Sequence, residues 1–146
     1  MRAHEDICVF YRKPPLYNPQ MRKGTPYNKG KALRPTEVYG RQTATLVKND
    51  TGLRYPRTVV YFKTAESEGK VYHPTQKPVD LFEYLINTYT NPGDLVLDNC
   101  IGAGTTAIAA LRTKRNFIGI ELDPKYASIC DERIKNTKEE CENAQT

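Results

Sequence analysis

Several common signatures are missing from this 146-residue sequence. Its four cysteines form no Cys-x-x-Cys pair, so we expect no metal site and reduced thiols, with Cys8, Cys100 and Cys130 as small core residues. No apolar run approaches the roughly 18 residues that a membrane span needs. The first residues carry acids early and no long apolar stretch, unlike a secretory signal. We therefore expect a cytoplasmic protein without a membrane partner.

Charge is spread unevenly along the chain, whose net charge is +5. Residues 1–70 hold 14 Lys and Arg against 6 Asp and Glu, whereas residues 71–146 hold 8 against 11. The imbalance is greatest over residues 11–63, with 12 basic and 2 acidic side chains. Basic stretches of this kind attract polyanions.

The basic part of the chain has little periodicity. Prolines and glycines punctuate residues 12–56, which predicts loops and short strands, and tyrosines alternate with the basic residues. Disordered segments are poor in aromatics, so we expect this region to order on a partner. Two β-branched and aromatic runs flank it, and we predict strands over residues 7–11 and 58–63.

After Val71 the pattern alternates between helix and strand. Apolar residues at helical spacing predict a helix that ends before Asn91-Pro92-Gly93. We then predict a strand over 94–98, a glycine turn, a helix from 105 to about 114, a strand over 117–122 and a last helix from Asp123-Pro124. Strand, helix and strand in this order predict a βαβ unit with parallel strands, and so an α/β fold.

A ligand site is expected where the strands of such a unit end. Gly102 and Gly104 follow the first strand, and Glu121 lies 17 residues later at the tip of the second. Ligands bind at the carboxyl ends of parallel strands, and a carboxylate there can accept hydrogen bonds from both hydroxyls of a ribose. The third glycine of GxGxxG is missing, so a tight turn beside a surface acid remains the alternative.

Three motifs in one order carry a family resemblance: HPTQKPVDLFEYLI, VLDNCIGAGTTAIAA and FIGIELDPKYA. Together with HEDICVFYRK and RYPRTVVYFKT, they resemble the carboxy-terminal half of permuted-class DNA amino-methyltransferases. The resemblance implies a partial Rossmann-like methyltransferase sheet with a loop-rich basic target-recognition insertion. Residues 1–11 would supply a strand of that sheet, 12–57 the recognition region, and 58–146 the cofactor-binding βαβ part.

The resemblance also implies S-adenosylmethionine as cofactor. The residues implied to hold its methionine part are Asp98, Gly102, Gly104 and Thr105. Those implied to cover the amino-acid end are Thr75, Gln76 and Lys77, although Gln76 could instead cap the next helix. Glu121 would bind the ribose hydroxyls, with Leu122 and Asp123 beside the adenine. We assign His73 no chemistry.

One position departs from the family pattern. Cys100 stands where relatives usually carry phenylalanine. Loss of an aromatic contact to the cofactor predicts lower affinity without loss of the pocket.

The basic region occupies the place of the family's target-recognition region, which implies double-stranded DNA as partner. Arginine and lysine pair with phosphates irrespective of sequence, and a few side chains would read base edges. The alternative is a solvated surface. The residues that we expect to contact DNA are Arg22, Lys23, Lys29, Lys31, Arg34 and Arg41.

The family's catalytic loop, a polar residue followed by Pro-Pro-Tyr or Pro-Pro-Phe, does not occur in these 146 residues. Lys13-Pro14-Pro15-Leu16-Tyr17 is a poor substitute, because it has lysine where a hydrogen-bond acceptor is needed. We therefore assign no catalytic residue. We expect the loop on an amino-terminal partner chain, with a split gene, a fragment and a decayed remnant all remaining open.

Three functions follow from these observations. The first is one half of a restriction-modification methyltransferase, with adenine N6 favoured over cytosine N4 as target and little activity alone. The second is a non-enzymatic DNA-binding or regulatory remnant. The third, suggested only by the glycine turn and acid, is a nicotinamide-dependent oxidoreductase. Without its partner strands the chain would expose apolar faces and could form a homodimer.

Overall fold

The computed structural model describes residues 4–32 and 44–144. The chain divides into two compact units, one formed by Met1–Asn18 with Tyr61–Thr146 and the other by Pro19–Val60. No helix in the described ranges is long and apolar enough to cross a membrane.

The Pro19–Val60 unit contains two small antiparallel ladders. Strand β1 (Arg22–Lys23) pairs with β4 (Leu53–Arg54), and β2 (Tyr27–Ala32) pairs with β3 (Thr45–Asn49) across a bulge. This agrees with the prediction of loops and short strands. Its assignment as a recognition region remains a prediction.

The other unit contains the predicted α/β segment. Its elements are α1 (Ala65–Glu68), α2 (Val79–Tyr89), β5 (Leu95–Asp98), α3 (Thr105–Arg112), β6 (Asn116–Gly119) and α4 (Pro124–Asn143). Strands β5 and β6 are parallel, with Leu95 opposite Asn116 and Asp98 opposite Gly119, and α3 connects them. The βαβ prediction is confirmed, although β6 ends at Gly119 rather than at residue 122.

Two helix starts in the described ranges show how the sequence determines where a helix begins. Asp123 precedes Pro124 and its carboxylate accepts a hydrogen bond from the Lys125 amide at 2.8 Å, so α4 begins as predicted. Helix α2 is capped from a distance, because the Glu68 carboxylate accepts from the amides of Val79 and Asp80. Gln76, considered as a cap from sequence, instead accepts from the Tyr72 amide at 3.0 Å.

The core lies on one face of the β5–β6 pair. Val96 and Phe117 point into it, and they pack against buried residues of α2 and α3 that include Ile86 and Ile108. A smaller cluster joins Ile101, Ala107 and Cys130. This cluster confirms that Cys130 is a core residue.

The opposite face of the strand pair is bare. The apolar residues that alternate with the core-facing ones are between 49% and 65% exposed, namely Leu95, Leu97, Ile118 and Ile120. Successive side chains of a strand point to opposite faces, so nothing in the described ranges covers this side.

Several sequence predictions are wrong. Residues 7–11 and 58–63 form no strand, and Phe10 and Tyr61 are 90% and 85% exposed. A β-propensity run becomes a strand only when another strand pairs with it, and the described residues offer these runs no partner. Cys8 and Cys100 are exposed rather than in the core, since Cys8 lies in the unpaired 7–11 run and Cys100 in the turn after β5.

Candidate cofactor-binding site

Residues from two distant motifs line one small cavity. The 73–77 segment and the turn after β5 enclose about 100 Å³. The lining residues that the sequence singled out are His73, Thr75, Gln76, Lys77, Asp98, Cys100, Gly102 and Thr105. The structure therefore brings most of the predicted cofactor residues together at the carboxyl end of β5.

The glycine turn requires both of its glycines. Gly102 and Gly104 have φ of 55° and 86°, which disfavours side chains. A Cβ on Gly104 would lie 2.7 Å from the Cys130 sulfur, so this glycine also allows α4 to approach the turn closely. Thr105 and Thr106 begin α3 directly after it and are buried.

Glu121 connects the two strand ends. Its carboxylate accepts hydrogen bonds from the Asp123 amide at 2.9 Å and the Gly102 amide at 2.8 Å. These amides, the one at Asp123 foremost, lower the pKa of Glu121 from 4.5, so it carries a negative charge at neutral pH. A charged acceptor thus stands beside the glycine turn, as predicted.

The carboxylate of Asp98, at the end of β5, accepts two hydrogen bonds from within the protein. One carboxylate oxygen accepts from the Cys100 amide at 3.0 Å, and the other accepts from the hydroxyl of Thr106. Sequence reasoning missed Thr106, although its place in Gly-Thr-Thr beside the turn was a usable signal.

Lys77 also lines this cavity. Its ammonium contacts both carboxylate oxygens of Glu5, at 2.7 and 2.8 Å, while its carbonyl accepts from the Thr105 hydroxyl at 3.4 Å. Glu5 lies 72 positions away, and nothing in the local sequence indicated the pair.

His73 packs over the turn. Its ring lies 4.3 Å from the ring of Tyr126, and a Cβ on Gly102 would come within 3.7 Å of it. Its Nδ1 accepts a hydrogen bond from the backbone amide of Thr75 at 3.2 Å. These contacts give His73 a packing role.

The outer part of the candidate site is open. Leu122 is 96% exposed and Asp123 is also exposed. A larger cavity of about 560 Å³ lies among α1, α2, α3 and α4, but no residue of the glycine turn lines it. The smaller cavity, by contrast, is lined by Gly102 of that turn and by Asp98 and Lys77.

The predicted DNA-contacting residues lie in the Pro19–Val60 unit. Arg22 and Lys23 form β1, Lys29 and Lys31 lie in β2, and Arg34 and Arg41 fall outside the described residues. Sequence reasoning missed Arg54, which stands directly opposite Arg22 and lies 5.7 Å from the ring of Tyr27. Like charges directly opposite each other across a ladder repel each other.

Comparisons with known proteins agree with the motifs. A family model described as DNA methylase, of the N6/N4 methyltransferase type, matches residues 1–132. The type II methyltransferase M.HinfI of Haemophilus influenzae is 41% identical over 73 residues, which cover 50% of this chain and 20% of that protein. M.HpaI of Haemophilus parainfluenzae is 29% identical over 133 residues, 90% of this chain and 38% of that protein.

A solved structure, that of an M1.HpyAVI–SAM complex, is 32% identical with a TM-score of 0.48, and the match covers 68% of this chain and 55% of that one. The chain thus spans well under two thirds of the length of these relatives. The family model, by contrast, matches most of the chain, and the chain belongs to the N6/N4 DNA methylase family.

Proposed function

We propose that this chain is the cofactor-binding and DNA-contacting part of an S-adenosylmethionine-dependent DNA amino-methyltransferase, with adenine N6 as the favoured target. The observation that carries the proposal is the convergence of Lys77, Asp98 and Glu121 around one glycine turn. Their charges complement a zwitterionic amino acid and a ribose diol. Family membership removes the nicotinamide oxidoreductase alternative.

The residues present fit this cofactor. Lys77 would pair with the methionine carboxylate, helped by the Thr105 hydroxyl, and Asp98 with the ammonium. Glu121 would accept the ribose hydroxyls with its remaining lone pairs. A cavity of about 100 Å³ holds only the amino-acid end, since sites that bury whole ligands span roughly 300–1,000 Å³. The adenosine would therefore extend over the open strand ends toward Leu122. The bound cofactor would supply the methyl group.

DNA binding is assigned to the Pro19–Val60 unit. The described part of this unit has one acidic residue, Asp50, and a clear excess of basic residues. The basic residues are Arg22, Lys23, Lys29, Lys31, Lys48, Arg54 and Arg57. Lys48 already pairs with that acid at 2.7 Å, which leaves the excess positive charge for phosphates.

The catalytic loop, which would hold the target base near the methyl donor, would come from another segment. Tyr17, at the end of the Lys-Pro-Pro-Leu-Tyr run, packs 6.3 Å from the ring of Tyr89 at the end of α2, while Asn18 donates its amide to Thr88. Tyr17 is thus packed against the end of α2. Holding a flipped base near the methyl donor accounts for several kcal/mol, up to roughly 7–11 in favourable cases.

The experiment is methyl transfer from labelled S-adenosylmethionine to DNA. The chain is assayed alone and with an amino-terminal methyltransferase segment that bears a Pro-Pro-Tyr loop, with a Tyr→Ala version of that loop as control. We expect transfer only with the intact loop. Transfer by the chain alone would remove the need for a partner. Binding of cofactor and DNA without transfer in any mixture would favour the remnant function.

A further inference from the structure

We infer that Arg133 is a positioning residue that holds the glycine turn and the 72–77 segment in the arrangement that accepts the amino-acid end of the cofactor. The inference rests on the proposed function. Arg133 lies on α4, outside the three motifs, and does not line the small cavity.

The first contact is with the turn itself. One guanidinium nitrogen of Arg133 donates to the carbonyl of Ala103, the residue between the two glycines. A trans peptide is planar, so its N–H points opposite to its carbonyl. By fixing the Ala103 carbonyl, Arg133 also fixes the direction of the Gly104 amide, which donates to Ile101 at 2.9 Å.

This peptide is one that could otherwise rotate. Gly104 has φ of 86°, and glycine populates both signs of φ at similar cost. A flip of the Ala103–Gly104 peptide would turn a carbonyl to where the Gly104 amide now points. The hydrogen bond from Arg133 opposes that flip, because the guanidinium can only donate.

The second contact is with the segment on the other side of the cavity. The guanidinium carbon lies 4.9 Å from the centre of the Tyr72 ring. The backbone amide of Tyr72 donates a hydrogen bond to the side-chain oxygen of Gln76. The backbone amide of Gln76 in turn donates to the His73 carbonyl at 3.0 Å. Arg133 therefore joins the two chain segments that line the cavity.

The chain offers a matched control at the same ring. Lys70 places its ammonium 4.9 Å from the centre of Tyr72 but makes no hydrogen bond to the turn. Lys70→Met removes a cation from this ring and leaves the Ala103 contact intact, whereas Arg133→Met removes both contacts. Arg133→Lys keeps the charge and loses the planar fork.

Two measurements on the full chain test the inference. In the first, calorimetry compares S-adenosylhomocysteine, which has the amino-acid end, with adenosine, which lacks it. We expect Arg133→Met to weaken binding of S-adenosylhomocysteine about ten-fold and binding of adenosine at most about two-fold. Arg133→Lys should lose less affinity for S-adenosylhomocysteine than Arg133→Met does. Lys70→Met should bind both ligands as tightly as the parent chain. Equal losses for both ligands would overturn the inference in favour of a general packing role.

The second measurement needs no ligand. NMR relaxation dispersion on the amides of Gly102 and Gly104 reports microsecond-to-millisecond exchange. We expect such exchange in Arg133→Met and not in the parent or Lys70→Met. A turn that stays rigid in Arg133→Met overturns the inference. If the parent chain binds neither ligand, the proposed function fails while this readout still decides the role of Arg133.

Discussion

The carboxylate of Glu121 accepts a hydrogen bond from the backbone amide of Gly102 at 2.8 Å, across 19 positions of sequence. The end of β6 is thereby tied to the glycine turn after β5. The same carboxylate is the group that we propose for the ribose, so under that proposal it would combine a structural and a ligand-binding role.

Glu121→Gln should weaken S-adenosylhomocysteine binding about ten-fold, because a neutral amide is a poorer partner for the Asp123 and Gly102 amides and for a diol. Calorimetry on this variant and on Glu132→Gln, an exposed acid of α4, makes the comparison. Equal affinities in all three proteins would remove Glu121 from the site.

The acid dependence of binding should follow the lowered pKa of Glu121. The lowered pKa keeps Glu121 charged in the folded chain at pH values just below the usual 4.5. The contribution of this carboxylate to ligand binding is therefore complete above 4.5 and is lost as the pH falls through the lowered pKa. We expect this contribution to be constant from neutral pH to about 5. Its loss at lower pH should be missing in Glu121→Gln, and a parallel acid dependence in both proteins would contradict it.

Glu5 and the cofactor carboxylate should compete for Lys77. The ion pair is exposed at both ends, with side chains 44% and 71% accessible, and such pairs contribute at most about 1 kcal/mol. Glu5→Gln should therefore raise S-adenosylhomocysteine affinity by up to about five-fold, and Lys77→Met should lower it. Asp6→Asn is the charge-matched control. An unchanged S-adenosylhomocysteine affinity in Lys77→Met would show that the Lys77 ammonium does not contribute to the site.

Gly104→Ala should destabilise the fold more than Gly93→Ala. Both positions have φ near 90°, at 86° and 88°, but only at Gly104 would a Cβ meet the Cys130 sulfur. Backbone strain of at least about 1 kcal/mol is common to both, and overpacking adds about 1–3 kcal/mol at Gly104. Urea unfolding measures the difference, and adding Cys130→Ala should recover part of it. Equal losses of unfolding free energy in the two variants would show that α4 shifts to accommodate the added methyl group at little cost.

Replacing Lys29 and Lys31 by alanine should flatten the salt dependence of DNA binding. Each phosphate contact contributes about 0.9 to the slope of log affinity against log salt, so two contacts predict a decrease of about 1.8. Lys135 and Lys138, exposed on α4, provide a control pair with the same charge change. A decrease of the same size in both double variants would point to net charge alone.

The bare face of β5 and β6 should cause the isolated chain to self-associate. Leu97 and Ile118 are 65% and 49% exposed on it. Leu97→Thr with Ile118→Thr should reduce association in sedimentation velocity without changing cofactor affinity, because both side chains point away from the core. Leu122→Thr, near the proposed adenine position, is the contrasting variant. Association that persists in the double variant would place the contact elsewhere.

Local pattern was enough for the elements that position the candidate site. Helix α2, the β5–α3–β6 unit and the start of α4 follow from apolar periodicity, glycines and the Asp-Pro pair, all of which act within a few residues. The strands expected over 7–11 and 58–63 failed because a strand also needs a partner, which local pattern does not reveal.

The sequence by itself determined the family, the βαβ unit and the grouping of the glycine turn with Glu121, because motif order and side-chain periodicity are properties of the linear chain. Only the tertiary structure decided that Glu68 caps α2, that Glu5 occupies Lys77 and that Arg133 supports the turn. These contacts join residues 11, 72 and 30 positions apart. Which charged side chain reaches which backbone group depends on helix packing, and no spacing rule encodes that.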